Sequence, residues 1–513
     1  MTEVINRIVA AAPPDGHHVT FQRLDGASAM TLTQLHEAAE RLARGLRGIG
    51  VGAGDRIGIL ASNCPEWILL DLAALRLKAV TCGFEPGKFA PDEALFERYQ
   101  LAVLFTDRPA PGAPGAPGPA RQLAEVADLT GSAGTAPPLP VPEYKPSDIT
   151  TIKFTSGSTG EPKGLAATVG SIDSSINAVQ GMFGHGGADN LFIFLPLSLL
   201  QQRYWIYSAL RFGHDVTVST YEAAFPALRR AGATVVMGVP AFYESARKHI
   251  ESRARRMAGG AAPSDTALRA AARELFGDRM RYLWTGSAPA RPSMLRFFAD
   301  AGMPIYEGYG LNETCIVAKN HPGAHREGSV GQVLPGKKVL FDADGLISVY
   351  SDYPVNWRYE YAAPGESERV FAPDGTVRTG DIGYLDEDGF LFIRGRADDV
   401  IVLENGKNIL VRPLEEFLKA SAAIDECVVL CPGQSRLVAV VSPASDPPDT
   451  AAITARVAAA NAAFGPDERI GDLVIATERF SVGNGMLTSQ FKPRRSRIAD
   501  TYLTSRETVG NGS

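Results

Sequence analysis

The densest chemistry in this 513-residue sequence sits at 154–164, FTSGSTGEPKG. Ser156, Ser158 and Thr159 offer hydroxyl donors, the glycines let several backbone N–H groups converge, and Lys163 adds a point charge. Such a set suits a polyanion, above all a phosphate chain, although on composition alone a flexible loop also fits. It is not the P-loop of nucleotide hydrolases, which places glycine before its lysine and Ser or Thr after it. Here Pro162 precedes Lys163 and Gly164 follows it, and Gly157 and Gly160 are only three apart.

Further segments follow in a set order: WTGSAPA (284–290), YEGYGLNET (306–314), GSVGQVLPG (328–336), RTGDIGYLDEDGFLFIRGRADDVI (378–401) and NGKNILVRPLEE (405–416). Together with the first loop, they resemble the adenylate-forming superfamily of acyl-CoA synthetases, nonribosomal adenylation domains and luciferases. LPLSLLQQR (195–203) and NGMLTSQFKPRR (484–495) are most similar to the long-chain acyl-CoA synthetase branch.

The resemblance implies two half-reactions using ATP, Mg²⁺ and coenzyme A: a carboxylate displaces pyrophosphate from ATP to form acyl-AMP, then a thiol displaces AMP. By the same resemblance Thr155, Ser156, Ser158, Thr159 and Lys163 hold the β- and γ-phosphates. Ser287, Ala288, Pro289, Glu307, Gly308, Tyr309 and Gly310 border the nucleotide, with Tyr309 stacked on adenine. Glu313 is the magnesium ligand, Asp381 accepts from both ribose hydroxyls, and Arg396 reaches the ribose from the other side. Lys492 contacts the α-phosphate and the acyl carboxylate; Asp398 is the hinge; Gly406, Lys407 and Asn408 line the coenzyme A path.

Two positions depart from the family pattern. Asn312 stands where a threonine is usual, and Leu199 where a histidine ends the LPLxH segment. An apolar Leu199 cannot donate to developing charge. Leu199 with Trp205, Val239 and Phe242 then reads as an apolar acyl pocket for a hydrophobic acid. A variant that only forms thioesters from acyl-AMP supplied by a partner enzyme is the alternative, as is loading of a separate carrier protein. Retention of Lys163, Glu313, Asp381 and Lys492 favours the complete ligase and weighs against a silent binding protein.

The elements that must position these residues read as α/β. Apolar helical spacing alternates with short β-rich runs over 30–106 (LTQLHEAAERLARGLRGIG, RIGILAS, PEWILLDLAALRLKAV, LAVLFTD) and resumes over 146–320, the pattern of parallel sheets covered by helices. Sites in such sheets lie beyond the strands' carboxyl ends. The stretch RPAPGAPGAPGPARQ (108–122) reads as a surface loop. A small β-rich subdomain follows after about 325. The expected organisation is a large N-terminal domain over 1–395, hinged to a small mobile α+β domain over 396–503, with 504–513 a disordered tail.

The net charge of −6 argues against a partner made of nucleic acid. Five cysteines without paired spacing suggest buried thiols rather than disulfides or zinc, with Cys427 and Cys431 in one buried strand. No run long enough to cross a membrane is visible, and the protein reads as cytoplasmic.

Overall fold

The computed structural model describes residues 3–108, 120–132, 137–155, 162–405, 407–434, 436–488 and 492–503. Ser156, Ser158, Thr159, Gly406 and the tail from 504 lie outside the described residues.

The alternation over 32–106 becomes the helices Leu32–Gly48 and Pro65–Leu77 and the parallel strands Arg56–Leu60, Val80–Phe84 and Leu101–Thr106. Thr31 closes a capping box with Gln34 at the first helix, and Pro65 starts the second, where its missing N–H is not needed. These strands belong to a six-stranded sheet, whose far edge is the antiparallel pair Ile149–Thr155 and Lys163–Thr168. That pair flanks the phosphate-like loop, with Thr155 opposite Lys163. The stretch 108–122 is not wholly loop: Ala120–Gln122 pairs in parallel with Leu101–Thr106. An edge strand needs only one ladder and little apolar surface, so composition hides it.

The next expected strands are Asn190–Ile193, Asp215–Val218, Val235–Gly238, Tyr282–Thr285 and Ile305–Leu311, all parallel in a nine-stranded sheet. One end of this sheet is built from the chain's beginning, His18–Gln22 and Ala27–Thr31, with Val19 beside Val216 and Phe21 beside Val218. Its two faces follow the strand period of two. Leu191, Ile193, Tyr282 and Trp284 point toward the other sheet and the helices Val169–Phe183 and Leu200–Phe212. Phe192, Phe194, Val236 and Leu283 point to a second core under the helices Pro240–Met257, Asp265–Phe276 and Pro292–Asp300.

The β-rich region is a four-stranded antiparallel sheet, Lys337–Phe341, Leu346–Ser351, Val377–Leu385 and Leu391–Arg396. After Arg396 a single 3-10 turn, Ala397–Asp399, leads into a separate core built on the helix Val411–Lys419 and the strands Ile424–Leu430, Leu437–Pro443 and Ile470–Ile475. All five cysteines are unpaired. Cys427 is buried, but Cys431 lies one residue past its strand and is half-buried, because Pro432 stops the ladder.

Candidate active site

The site forms where the nine-stranded sheet, the four-stranded sheet and the small domain meet. Strand Tyr282–Thr285 runs out into Gly286–Pro289, and Ser287 holds a left-handed φ of 68°. A non-glycine residue kept there is costly and marks a turn shaped by its surroundings. Glu307, beside Thr285 in the sheet, accepts the Ala290 N–H at 3.4 Å. Burial pushes its carboxyl up to about 7, against the opposing pulls of the Ala290 N–H and Lys319.

A folded-state value raised from 4.5 to about 7 means that the folded chain holds this proton more tightly. Stability is therefore greatest below pH 4.5, is lost as pH rises toward 7, and is flat beyond. Glu307→Gln imitates the protonated form, so urea unfolding at pH 8 is expected to show the variant more stable, by at most about 3 kcal/mol at about 1.4 kcal/mol per unit. An unchanged pH slope would sink this account.

Asp381 lies in the strand Val377–Leu385, only 6% exposed, directly opposite Arg396. Its Oδ2 accepts the Tyr309 hydroxyl at 2.6 Å and its Oδ1 accepts Arg396 Nη1 at 3.2 Å, while Arg396 also donates to the Thr379 carbonyl at 2.8 Å. Burial, then the Asp381 charge, raises the Tyr309 hydroxyl well above its usual range, so it stays a donor. Gly380, at φ 72°, lets Arg396 lie close: a Cβ there would sit 2.8 Å from Nη2. A carboxylate fixed on both sides is ready to receive a pair of vicinal hydroxyls, and the anchored Tyr309 ring is a platform beside it.

Glu313 lies on the turn after Ile305–Leu311. Its Oε1 accepts the Tyr359 hydroxyl at 2.7 Å, and the turn's backbone is held by two lysines: Lys153 donates to the Asn312 carbonyl at 2.6 Å and Lys337 to the Thr314 carbonyl at 2.8 Å. Asn312 itself is exposed. Burial, and repulsion from Lys153, lower the Lys337 ammonium. Gly310 is pressed so closely that a Cβ would lie 1.9 Å from the Cys315 carbonyl oxygen. Gly310→Ala must therefore move the strand Cys315–Lys319 or the turn, and a fall in melting temperature of about 4 °C or more, with weakened nucleotide binding, is expected by calorimetry.

Lys163 forms an ion pair with Glu366 at 2.9 Å and lies over the Tyr359 ring at 5.2 Å. Its hydrogen bond holds the Glu366 carboxyl below the usual range. Binding phosphate with Lys163 thus means exchanging one anion for another. Lys153, Lys337, Tyr359 and Glu366 were not singled out from the sequence. Only Lys153 leaves a trace there, a charge inside the apolar run TTIKFT.

The small domain closes over this site. Arg291 donates to the Asp425 carbonyl across the junction. Lys492 keeps contact with solvent, yet surrounding protein lowers its ammonium, with Arg396 adding to the effect and Asp381 opposing it. Lys492 therefore lies within electrostatic reach of Asp381 and Arg396, which the Tyr309 hydroxyl joins. Asp398, 81% exposed, takes Arg396 Nη2 at 3.2 Å. Arg495, part of the basic run KPRR, is committed to Asp399 at 2.9 Å and to Glu415 at 2.7 Å. Lys407 pairs with Asp467, and the exposed Asn408 opens the strand Asn408–Leu410, whose Ile409 is buried in the small domain's core.

The expected acyl pocket is not one pocket. Trp205 is buried among His185 and Trp284 on one face of the nine-stranded sheet, with ring centroids at 5.3 and 5.1 Å. Phe242 is buried on the opposite face against Phe194 and Phe225, with half-buried Val239 packed at that core's edge. The strand period of two separates them, which proximity in sequence to the motifs conceals. Leu199 alone stays open, 36% exposed at the N-terminus of Leu200–Phe212.

The profile of the family described as AMP-binding enzyme matches residues 7–346, and that of the AMP-binding enzyme C-terminal domain matches 398–496. The chain belongs to the AMP-binding enzyme family. The long-chain-fatty-acid–CoA ligase FadD15 of Mycobacterium tuberculosis is 29% identical, covering 97% of this chain and 95% of its own. The fold is that of the anthranilate CoA ligase AuaEII solved with anthranoyl-AMP, at a TM-score of 0.79, 18% identity and coverage of 99% and 98%. The o-succinylbenzoate CoA synthetase of Bacillus subtilis solved with its acyl-adenylate is similar too, at a TM-score of 0.75, 20% identity and coverage of 97% of each chain. The 3-10 turn at Ala397–Asp399 falls at the start of the region matched by the second profile.

Proposed function

We propose that this AMP-binding enzyme is an ATP-dependent ligase that activates a carboxylic acid as acyl-AMP and transfers the acyl group to coenzyme A. The observation that carries the reading is the convergence of Lys492 from the small domain on the Asp381–Tyr309–Arg396 set of the large one. Asp381 receives the ribose hydroxyls, Tyr309 supports the adenine, and Lys492 neutralises charge where the acid's oxygen attacks the α-phosphorus and the bond to pyrophosphate breaks. Lys163 and the loop 155–163 hold the departing phosphates. Glu313, a single carboxylate facing that loop's strand, fits Mg²⁺, which takes one or two carboxylates and completes its shell with phosphate and water oxygens. Mg²⁺ would shield the phosphate charge there.

In the second half-reaction the coenzyme A sulfur attacks the acyl carbon and AMP leaves. Rotation at Asp398, exposed and tied only to Arg396, would bring Gly406, Lys407 and Asn408 to the site. Coenzyme A is the proposed acceptor; no carrier domain is evident in the sequence. Among the described residues no helix is long and apolar enough to cross a membrane; we assign the enzyme to the cytoplasm, where ATP and coenzyme A are at hand.

The test has two arms: pyrophosphate release from acid and ATP, and thioester formation from preformed acyl-AMP and coenzyme A. Both are expected. Thioester formation without pyrophosphate release would replace this reading by a transferase fed by another enzyme.

A further inference from the structure

Lys319 is the least expected charge in the molecule. It is fully buried at the end of Cys315–Lys319, opposite Gly308 of the YEGYG segment. Its ammonium donates to the Tyr306 carbonyl at 2.6 Å and lies 3.9 Å above the Trp284 ring. Among the described residues no carboxylate stands within ion-pair distance. Burial pulls this ammonium down and the more distant Glu307 charge opposes that; with no direct ion pair, an anion brought against it gains strongly.

The surroundings have unused polar capacity as well. Trp284 touches Trp205, and Trp205 touches His185, whose Nε2 meets the Tyr282 hydroxyl and whose buried Nδ1 has no partner among the described residues. Gln202 is 1% exposed, and neither of its amide atoms has a partner among the described residues. Leu199 caps the start of this helix, and Gln202 and Trp205 are neighbours on it at three-residue spacing. From the exposed Leu199 the helix runs about 9 Å to Trp205, which packs against the Trp284 ring on which Lys319 lies.

We propose that Lys319 is a specificity residue of the acyl site, and that the acid carries a second, distal carboxylate, which this ammonium receives at the inner end of the Leu199–Gln202–Trp205 path. The inference rests on the ligase reading above and narrows its substrate from hydrophobic acids in general to diacids of medium length. The reacting carboxyl stays near Lys492, the chain runs over the Trp205 and Trp284 rings, and Gln202 offers its amide along the way.

The experiment compares α,ω-dicarboxylic acids, from succinate to dodecanedioate, with monocarboxylic acids of equal length on the full chain. Pyrophosphate release and calorimetric binding are both measured. The best diacid is expected to exceed its monoacid at least tenfold in kcat/KM. Lys319→Met should lower the diacid roughly a hundredfold and the monoacid far less. Gln202→Leu, which tests the same path without touching a charge, should cut the diacid preference several-fold. Equal use of both acid types, or a Lys319→Met loss shared by both, overturns the inference while the ligase reading stands. Diacid binding that vanishes in Lys319→Met without any turnover supports the site and sinks the ligase reading; no diacid binding at all overturns the inference.

Discussion

Lys492→Ala is expected to lower pyrophosphate release from acid and ATP by about 10²–10³-fold, while thioester formation from preformed acyl-AMP and coenzyme A stays within about threefold of normal. The first half-reaction brings a carboxylate against the α-phosphate, and the small domain's ammonium is the group next to Asp381 and Arg396 that can stabilise the charge developing there. The second half-reaction starts with that bond already made, and rotation at Asp398 would carry Lys492 away. Lys492→Arg keeps the charge but changes its reach, so partial recovery of the first reaction is the expected companion result. Equal losses in both reactions would mean that Lys492 serves only the docking of the two domains.

The second large effect is on stability. Asp71→Ala is expected to cost about 3–5 kcal/mol in urea unfolding, a large part of the net stability of about 5–15 kcal/mol typical of a folded domain. Asp71 accepts Arg203 Nη1 at 2.8 Å, the Tyr207 hydroxyl at 2.5 Å and the Thr81 hydroxyl at 3.0 Å, all buried. Arg203 also donates to the Thr151 hydroxyl at 3.1 Å and lies over Trp67 at 5.1 Å. Without Asp71 the guanidinium remains buried with only hydroxyl and ring partners. The double variant Asp71→Ala with Arg203→Met removes the stranded charge and should recover much of the loss; a single-variant loss under about 1 kcal/mol would place the pair among energetically minor ones. The network also ties the helix that begins after Leu199 to the strand that carries the phosphate-like loop, so the variant should weaken ATP binding before it unfolds the chain.

Much of the site was legible. Tyr309, Asp381 and Arg396 stand in segments whose order carried the family resemblance, and the structure joins them by hydrogen bonds. Lys492 stands in another such segment, within electrostatic reach of Asp381 and Arg396, while its neighbour Arg495 braces Glu415 and Asp399. The acyl pocket was not legible. Trp205 and Phe242 are both apolar and both near motifs, but which face of the sheet each takes depends on the strand alternation that sends Ile193 one way and Phe194 the other. Lys153 and Lys337 were passed over because a lysine holding a backbone carbonyl looks, in sequence, like any surface lysine.

By itself the sequence determined the local elements, the α/β class and the motif residues proposed to meet the nucleotide. These follow from short-range pattern: apolar period, capping, turn glycines and ordered motifs separated by loops. Tertiary structure alone decided that strands His18–Gln22 and Ala27–Thr31 join the more distant sheet, that Arg203 finds Asp71 and that Lys319 is buried over Trp284. Each of these is a contact between residues far apart in the chain or on different elements. Its free energy depends on burial and on which partner is available, and neither quantity is written in the residues next to it.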